Sequence, residues 1–187
     1  MTQDRTLWQD SARETVSAQA FEGGPAVDLA VIGGGFTGCA AALEAARQGA
    51  SVALLEAGAI GDGGSGRNVG LVNAGLWLPP DAVIAAAGQD TGMRLLDALG
   101  KGPATVFDII GREDIDCEAT RAGTLHLAHS PAGLRDLESR FRQGNRLGAP
   151  LQLLDAAETA RRTGSAAFHG ALLDPRAGTV QPLAYAR

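Results

Sequence analysis

The sequence predicts an α/β protein that opens with a parallel βαβ unit and continues into mixed α+β structure with antiparallel strands. Three observations predict it: an apolar run that turns straight into spaced glycines, a second apolar run that ends in an acidic residue, and a later alternation of short strands with helical segments. At 187 residues, 45% of them hydrophobic, the chain has enough apolar material for a globular domain and a fraction of another.

Val27, Leu29, Val31 and Ile32 suit a buried parallel strand, and Phe36 to Gln48 has the small-residue composition of a helix packed close to a sheet. Between them Gly33, Gly35 and Gly38 hold the G-x-G-x-x-G spacing, with Gly34, Phe36 and Thr37 as its intervening residues. Each glycine has a separate task. Gly33 makes the tight turn, Gly35 lets backbone approach a pyrophosphate without a Cβ in the way, and Gly38 lets helix and strand touch. The unpaired N–H groups and the positive dipole at the helix start then attract phosphate. Spaced glycines alone are a weak sign in a chain with 26 of them, so the context carries the reading.

That context is a second strand, Ser51 to Leu55, which follows Gly49 as helix C-cap and ends at Glu56 and Ala57. In a Rossmann-like unit an acidic residue about 20 positions past the glycines accepts hydrogen bonds from an adenosine ribose. The plainer alternative for Glu56 is a solvated strand-end glutamate. A carboxylate there disfavours a 2′-phosphate and so argues against NADP.

The segment from Ala57 to Gly70 is too long and glycine-rich for an ordinary strand-to-helix turn. Ser65 and Arg67 are good donors to phosphate oxygens, and closely spaced glycines let main-chain N–H groups point inward as an anion nest. A flexible surface loop is the alternative, though Arg67-Asn68 and the apolar flank Leu71-Val72 are unusual in one. Here the sequence resembles the FAD-dependent oxidoreductases of the D-amino-acid oxidase superfamily, nearest their glycine oxidase and gamma-glutamylputrescine oxidase-like members. Those proteins commonly read G-A-S-G-R-N-G-G, and this chain has Gly63-Gly64-Ser65-Gly66-Arg67-Asn68-Val69-Gly70, departing at Gly64 and Val69. The resemblance implies that Ser65 and Arg67 run along the pyrophosphate of FAD, while Asn68 and Gly70 lie near the flavin ring.

After Pro79-Pro80-Asp81, residues 82–99 and 104–110 are predicted as helices separated by Gly100-Lys101-Gly102-Pro103, with Leu95, Leu96, Leu99, Val106, Phe107 and Ile110 as core. Cys117 begins a predicted strand running to His129, whose second half alternates Leu125 and Leu127 against His126 and Ala128. Ser130-Pro131 starts another helix, with Leu134, Leu137 and Phe141 at helical spacing and its charged residues as a solvated face. Leu151 to Leu154 is a strand, Asp155 with Glu158 resembles a capping box, and Phe168 to Leu173 is a further strand. The superfamily resemblance extends over residues 27 to 187, through the turn Asp174 to Pro182 and the helix start at Leu183. It implies an N-terminal arm (1–26), a first part of an FAD-binding domain (27–115, with the wrapping loop at 57–72) and the beginning of a substrate domain (116–187). It also implies an N-terminal portion of a longer oxidase.

A net charge of −5 and a sequence pI near 5.1 leave no basic footprint for nucleic acid. No apolar run approaches a membrane span, and the N-terminus lacks an apolar leader core, which together point to the cytoplasm. Cys39 reads as core filler, and His126, His129 and His169 have no metal-ligand spacing, so no metal is expected. The resemblance implies oxidation of a small amine or amino acid at its C–N bond, with hydride passing to the flavin and an imine as product. No catalytic residue is assigned, because the cofactor carries the difficult chemistry. A truncated, non-catalytic FAD-binding fragment is one alternative. An NAD-dependent dehydrogenase is another, permitted by Gly33 to Gly38 and disfavoured by the loop that follows.

Overall fold

The computed structural model describes residues 5–187. Its elements begin with α1 (Leu7–Ser11), β1 (Leu29–Ile32), α2 (Phe36–Arg47), β2 (Val52–Leu55), a 3-10 turn (Gly64–Gly66), β3 (Leu71–Val72), α3 (Pro80–Ala87) and α4 (Gln89–Glu113). They continue with β4 (Thr124–Leu127), α5 (Pro131–Arg146), β5 (Gln152–Leu154), α6 (Ala156–Thr163), β6 (Ala171–Asp174), β7 (Gly178–Thr179) and α7 (Pro182–Ala186). The chain forms two compact bodies. One comprises the chain up to Gly70 with Arg112–Glu118 and Val180–Arg187; the other comprises Leu71–Gly111 with Ala119–Thr179.

In the first body β1 and β2 pair in parallel, from Leu29 opposite Val52 to Ile32 opposite Leu55. The register is anchored where the strands begin. The Asp28 carboxylate accepts the Ser51 N–H at 2.9 Å and its hydroxyl at 2.7 Å, while the Asp28 N–H donates to the same hydroxyl at 3.0 Å. These bonds hold the Asp28 carboxyl below its ordinary range. α2 then lies so close to the end of β1 that a Cβ on Gly38 would stand 3.4 Å from Val31 Cγ1 and run into the Gly33 carbonyl. Gly49, with φ +91°, turns the chain after the helix as expected.

The expectation that β1 is buried is corrected: Leu29 is 38% and Ile32 87% exposed. The apolar run has the composition of a central strand, but β1 has a single hydrogen-bonded neighbour among the described residues, so its other edge and much of its side-chain surface stay open.

The second body carries the antiparallel sheet β4-β6-β5, with Leu125 opposite Leu173, His126 opposite Leu172, and Leu153 opposite Leu172 on the other side. The alternation read in the sequence sorts the two faces. Ala128 and Leu172 pack with Leu137, Leu134, Phe141 and Leu151, which brings α5 onto one face, and Leu125 and Leu127 pack with Leu154, Ala171 and Leu173. Ser130 caps α5 by accepting the Gly133 N–H at 3.1 Å, with Pro131 in the first turn. Asp155 caps α6 through the Glu158 N–H at 2.8 Å. The capping box is only half made, since the Glu158 carboxylate turns instead to Arg161 and Arg162. Antiparallel β3 and β7 form a second small sheet.

Three boundaries differ from expectation. No break occurs at Gly100–Pro103; α4 runs through it, and the interruption falls at Gly88, whose φ of +80° ends α3. Proline inside a helix removes a hydrogen bond, yet the Pro103 ring is among the most completely buried side chains, and that burial offsets the loss. Gly100 leaves room for the Arg176 guanidinium, which a Cβ would approach to 3.2 Å. On α4 Leu95 is 38% exposed rather than core. The strand placed at Cys117 starts at Thr124, because Glu118 at φ +51° and Gly123 at φ +83° turn the backbone out of extended conformation. The strand placed at Phe168 starts after Gly170, at φ +154°.

Candidate cofactor-binding site

The start of α2 organises the site. Gly33 takes φ +103°, which side-chain-bearing residues rarely adopt, and Gly35 is the N-cap with no side chain to offer. The missing cap comes from the loop: Ser65 Oγ accepts the Phe36 N–H at 2.9 Å. A Cβ on Gly35 would lie 2.8 Å from that same oxygen, so glycine, helix start and serine share one small space. The remaining first-turn N–H groups have no acceptor within the helix and face outward with its dipole.

Glu56 sits at the end of β2, and its two carboxylate oxygens accept the Gly34 N–H at 2.6 Å and the Gly58 N–H at 2.9 Å. Those two backbone bonds, the Gly34 one first, hold its pKa below the ordinary carboxylate value. Gly34 is buried, and a Cβ there would come within 3.3 Å of the Glu56 side chain and collide with Ile60. Its carbonyl accepts the Gly61 N–H at 2.9 Å, which ties the incoming loop to the glycine turn.

The loop is braced by Asn68. Its carboxamide donates to the Ser65 carbonyl at 2.6 Å and the Gly64 carbonyl at 3.3 Å, and accepts the Gly70 N–H at 2.8 Å. Gly70 is buried at φ +74°, with its carbonyl accepting the Val180 N–H at 2.9 Å. The structure therefore brings Gly33, Gly34, Gly35, Phe36, Gly38, Glu56, Ser65, Asn68 and Gly70 together. Thr37, Ala57 and Arg67 are exposed; the Arg67 N–H donates to the Gly64 carbonyl at 3.4 Å, and its guanidinium makes no hydrogen bond or ion pair with the described residues. A groove with main-chain donors at a helix start, a carboxylate at the neighbouring strand end and no Cβ at Gly35 fits a diphosphate joined to a ribose.

Residues that sequence reading missed surround the loop. Phe36 packs edge-on against Tyr185 of α7 at 5.3 Å between ring centroids, and Trp8 Nε1 donates to the Asn68 carbonyl at 2.7 Å. Thr6-Leu7-Trp8-Gln9 carries the capping-box pattern that marks α1. Nothing comparable announces the reach of Gln181 to the Trp8 carbonyl or the packing of Leu183 on the loop, which depend on tertiary contact. In the second body a cavity of about 410 Å³ is lined by Trp77, His126, Leu96, Arg140 and Arg176 among others. Trp77 stacks on His126 at 4.8 Å, and its carbonyl accepts from Arg140 at 2.5 Å. Burial first, then the Arg140 charge, pushes the His126 pKa down, while Asp174 opposes the shift. Among the described residues no cluster of three potential ligands could hold a metal, and no helix is long and apolar enough to cross a membrane.

The fold is that of an α/β protein with a glycine turn between its first parallel strand and helix and a long glycine-rich loop after its second. The family described as FAD dependent oxidoreductase, DAO, matches residues 28–187, and the chain belongs to it. Gamma-glutamylputrescine oxidoreductase of Escherichia coli K12 is 37% identical over 157 residues, covering 83% of this chain and 37% of that protein. The crystal structure of glycine oxidase from Geobacillus kaustophilus superposes with a TM-score of 0.68 at 25% identity, over 86% of this chain and 42% of that one. L-alpha-glycerophosphate oxidase from Mycoplasma pneumoniae, solved with FAD bound, shares the fold at a TM-score of 0.64 and 18% identity, over 86% of this chain and 40% of that one. This chain thus spans about two fifths of the length of the proteins it resembles.

Proposed function

We propose that this chain supplies the FAD-binding part, and the beginning of the substrate side, of a cytoplasmic oxidoreductase that oxidises a small amine or amino acid at its C–N bond. Bound FAD would supply the two-electron acceptor for the hydride of the carbon bearing nitrogen, with the amine nitrogen giving up a proton to solvent as the imine forms. The chain's own residues bind and orient. Glu56 has spare lone pairs beyond those used by Gly34 and Gly58, and these accept the ribose hydroxyls of the adenosine half while repelling a 2′-phosphate. Around the start of α2, Gly35, Thr37 and Gly38 offer their N–H groups to the diphosphate, while those of Gly33, Gly34 and Phe36, bonded to Leu55, Glu56 and Ser65, fix the turn that presents them. Ser65 and Arg67 approach it from the loop, and Asn68 and Gly70 shape the backbone beside the flavin ring.

The observation that carries this reading is the loop serine capping the helix start at 2.9 Å, since it brings the wrapping loop onto the glycine turn as a diphosphate requires. An NAD-dependent dehydrogenase has no use for such a loop. The test is titration of the purified chain with FAD and with NAD, followed by gel filtration and a visible spectrum. Retention of a flavin band that acid precipitation releases supports noncovalent FAD. A chain that stays folded and colourless while binding NAD overturns the reading. Amine-dependent bleaching of that band measures whether this chain also turns over.

A further inference from the structure

We infer that the N-terminal segment Thr6–Glu14 is a latch on the loop Gly61–Gly70, with Trp8 as the positioning residue that sets how long the cofactor stays bound. This rests on the FAD reading of the loop. The family match begins at residue 28, so the latch lies outside it.

α1 is five residues long, too short to hold a helix unaided, although its capping box is complete: Gln9 N donates to Thr6 Oγ1 at 3.3 Å and Thr6 N to Gln9 Oε1 at 2.9 Å. Tertiary contacts keep it in place. The Trp8 indole N–H donates to the Asn68 carbonyl at 2.7 Å, and Asn68 in turn braces Ser65, whose hydroxyl holds the Phe36 N–H. Trp8 is therefore two residues removed from the helix start that faces the diphosphate. A second grip comes from Gln181, only 2% exposed. Its Oε1 caps α7 at the Ala184 N–H, 2.8 Å away, while its Nε2 donates to the Trp8 carbonyl at 2.9 Å and to Ser11 Oγ at 3.2 Å. Arg187 reaches the Glu14 carbonyl at 3.1 Å. α7 also lies against the loop itself: a Cβ on Gly61 or Gly66 would meet Leu183 Cδ1 at 2.8 or 2.7 Å.

The arm thus clasps the loop and the helix that supports it. Residues 15–26, which connect the arm to β1, are exposed and carry no regular structure. A few single hydrogen bonds therefore hold the latch closed, and opening it frees the loop without unfolding the β1–β2 unit.

The test is Trp8→Phe in the full chain, which keeps an aromatic ring and removes the donor. Hydrogen exchange without cofactor should show the Gly66 and Gly70 amides exchanging about 3- to 10-fold faster, the scale of one lost neutral hydrogen bond, with amides of β4 and β6 unchanged. Release of bound FAD, read from recovery of free-flavin fluorescence, should accelerate by a similar factor while its association rate holds. Unchanged loop exchange overturns the latch, and so does uniform acceleration across both bodies. Faster loop exchange with unaltered FAD release overturns its control of the cofactor. If the wild-type chain takes up no FAD, the cofactor reading falls, the control of residence falls with it, and hydrogen exchange alone decides the structural latch.

Discussion

Replacing Gly38 by alanine separates the packing role of the glycine motif from its binding role. The added Cβ would stand 3.0 Å from the Gly33 carbonyl carbon, overlap its oxygen, and touch Val31 Cγ1 at 3.4 Å. These are mostly backbone atoms of the glycine turn, so no side chain can rotate to relieve the clash and α2 must retreat from β1. Overpacking of this kind costs about 3 kcal/mol when backbone has to move. Alanine gains about 1 kcal/mol over glycine as a helix residue, and Gly38 is in the first turn of α2. The clash wins, leaving a net loss of about 2 kcal/mol, which in a chain of this size lowers the melting temperature by about 4–8 °C. Gly35→Ala is the control. Its Cβ meets only Ser65 Oγ, at 2.8 Å, and that side chain can turn away at the loss of a cap bond of about 1 kcal/mol. Gly35→Ala should keep most of its stability while losing FAD, whereas Gly38→Ala should lose stability first. Paired thermal melts and FAD titrations measure both. A Gly38→Ala protein that melts at or above the wild-type temperature would refute the reasoning, because the propensity gain would then be acting without opposition.

Glu56→Gln should weaken FAD binding about tenfold in titration, since the amide keeps one acceptor oxygen and loses the charge; unchanged affinity would return Glu56 to a solvated strand end. The folded Glu56 pKa is depressed, so its bonds to Gly34 and Gly58 stand above the ordinary carboxylate range and are lost as pH falls through the lowered value, which exchange of those two amides at acid pH will follow. Cys117, 1% exposed and pushed up to about 11 by burial and then by the charges of Glu14 and Asp116, should resist iodoacetamide at about pH 8 in the native chain and react once it is unfolded; rapid native labelling at this site would contradict the packing. Because burial depresses the folded His126 pKa, the unfolded chain binds its proton first as pH falls, so this group removes stability below the ordinary imidazole range. A proton-NMR titration midpoint for His126 at or above that of a model peptide would reverse the sign.

Where local chemistry decides structure, the sequence was a sufficient guide. Ser130 and Asp155 cap the helices assigned to them, Gly49 turns the chain after α2, and Leu125 and Leu127 share one sheet face. Misreadings arose where tertiary packing outweighs propensity. Gly-Lys-Gly-Pro is a strong break by local rules, yet a buried Pro103 ring keeps α4 whole, and Gly88 alone ends α3. The exposure of Ile32 was also illegible, because an apolar strand looks the same whether or not a neighbour covers it.

The same division runs through the site. The glycine turn and Glu56 follow from a spacing that backbone geometry demands, so they were readable position by position. Ser65 is expected from the sequence as a phosphate donor, whereas the contact it makes, capping α2 in place of the glycine that cannot, emerges only when residues 36 and 65 meet in space. Asn68 was expected beside a flavin ring, while its carboxamide is occupied with Ser65, Gly64 and Gly70, so any influence on that ring passes through loop shape. Trp8, 60 residues from the carbonyl it grips, has no periodicity that points to its partner. A cradle built on glycines has few side chains to stiffen it. Rigidity must then come from distant donors and acceptors, and pattern within a window of sequence cannot register these.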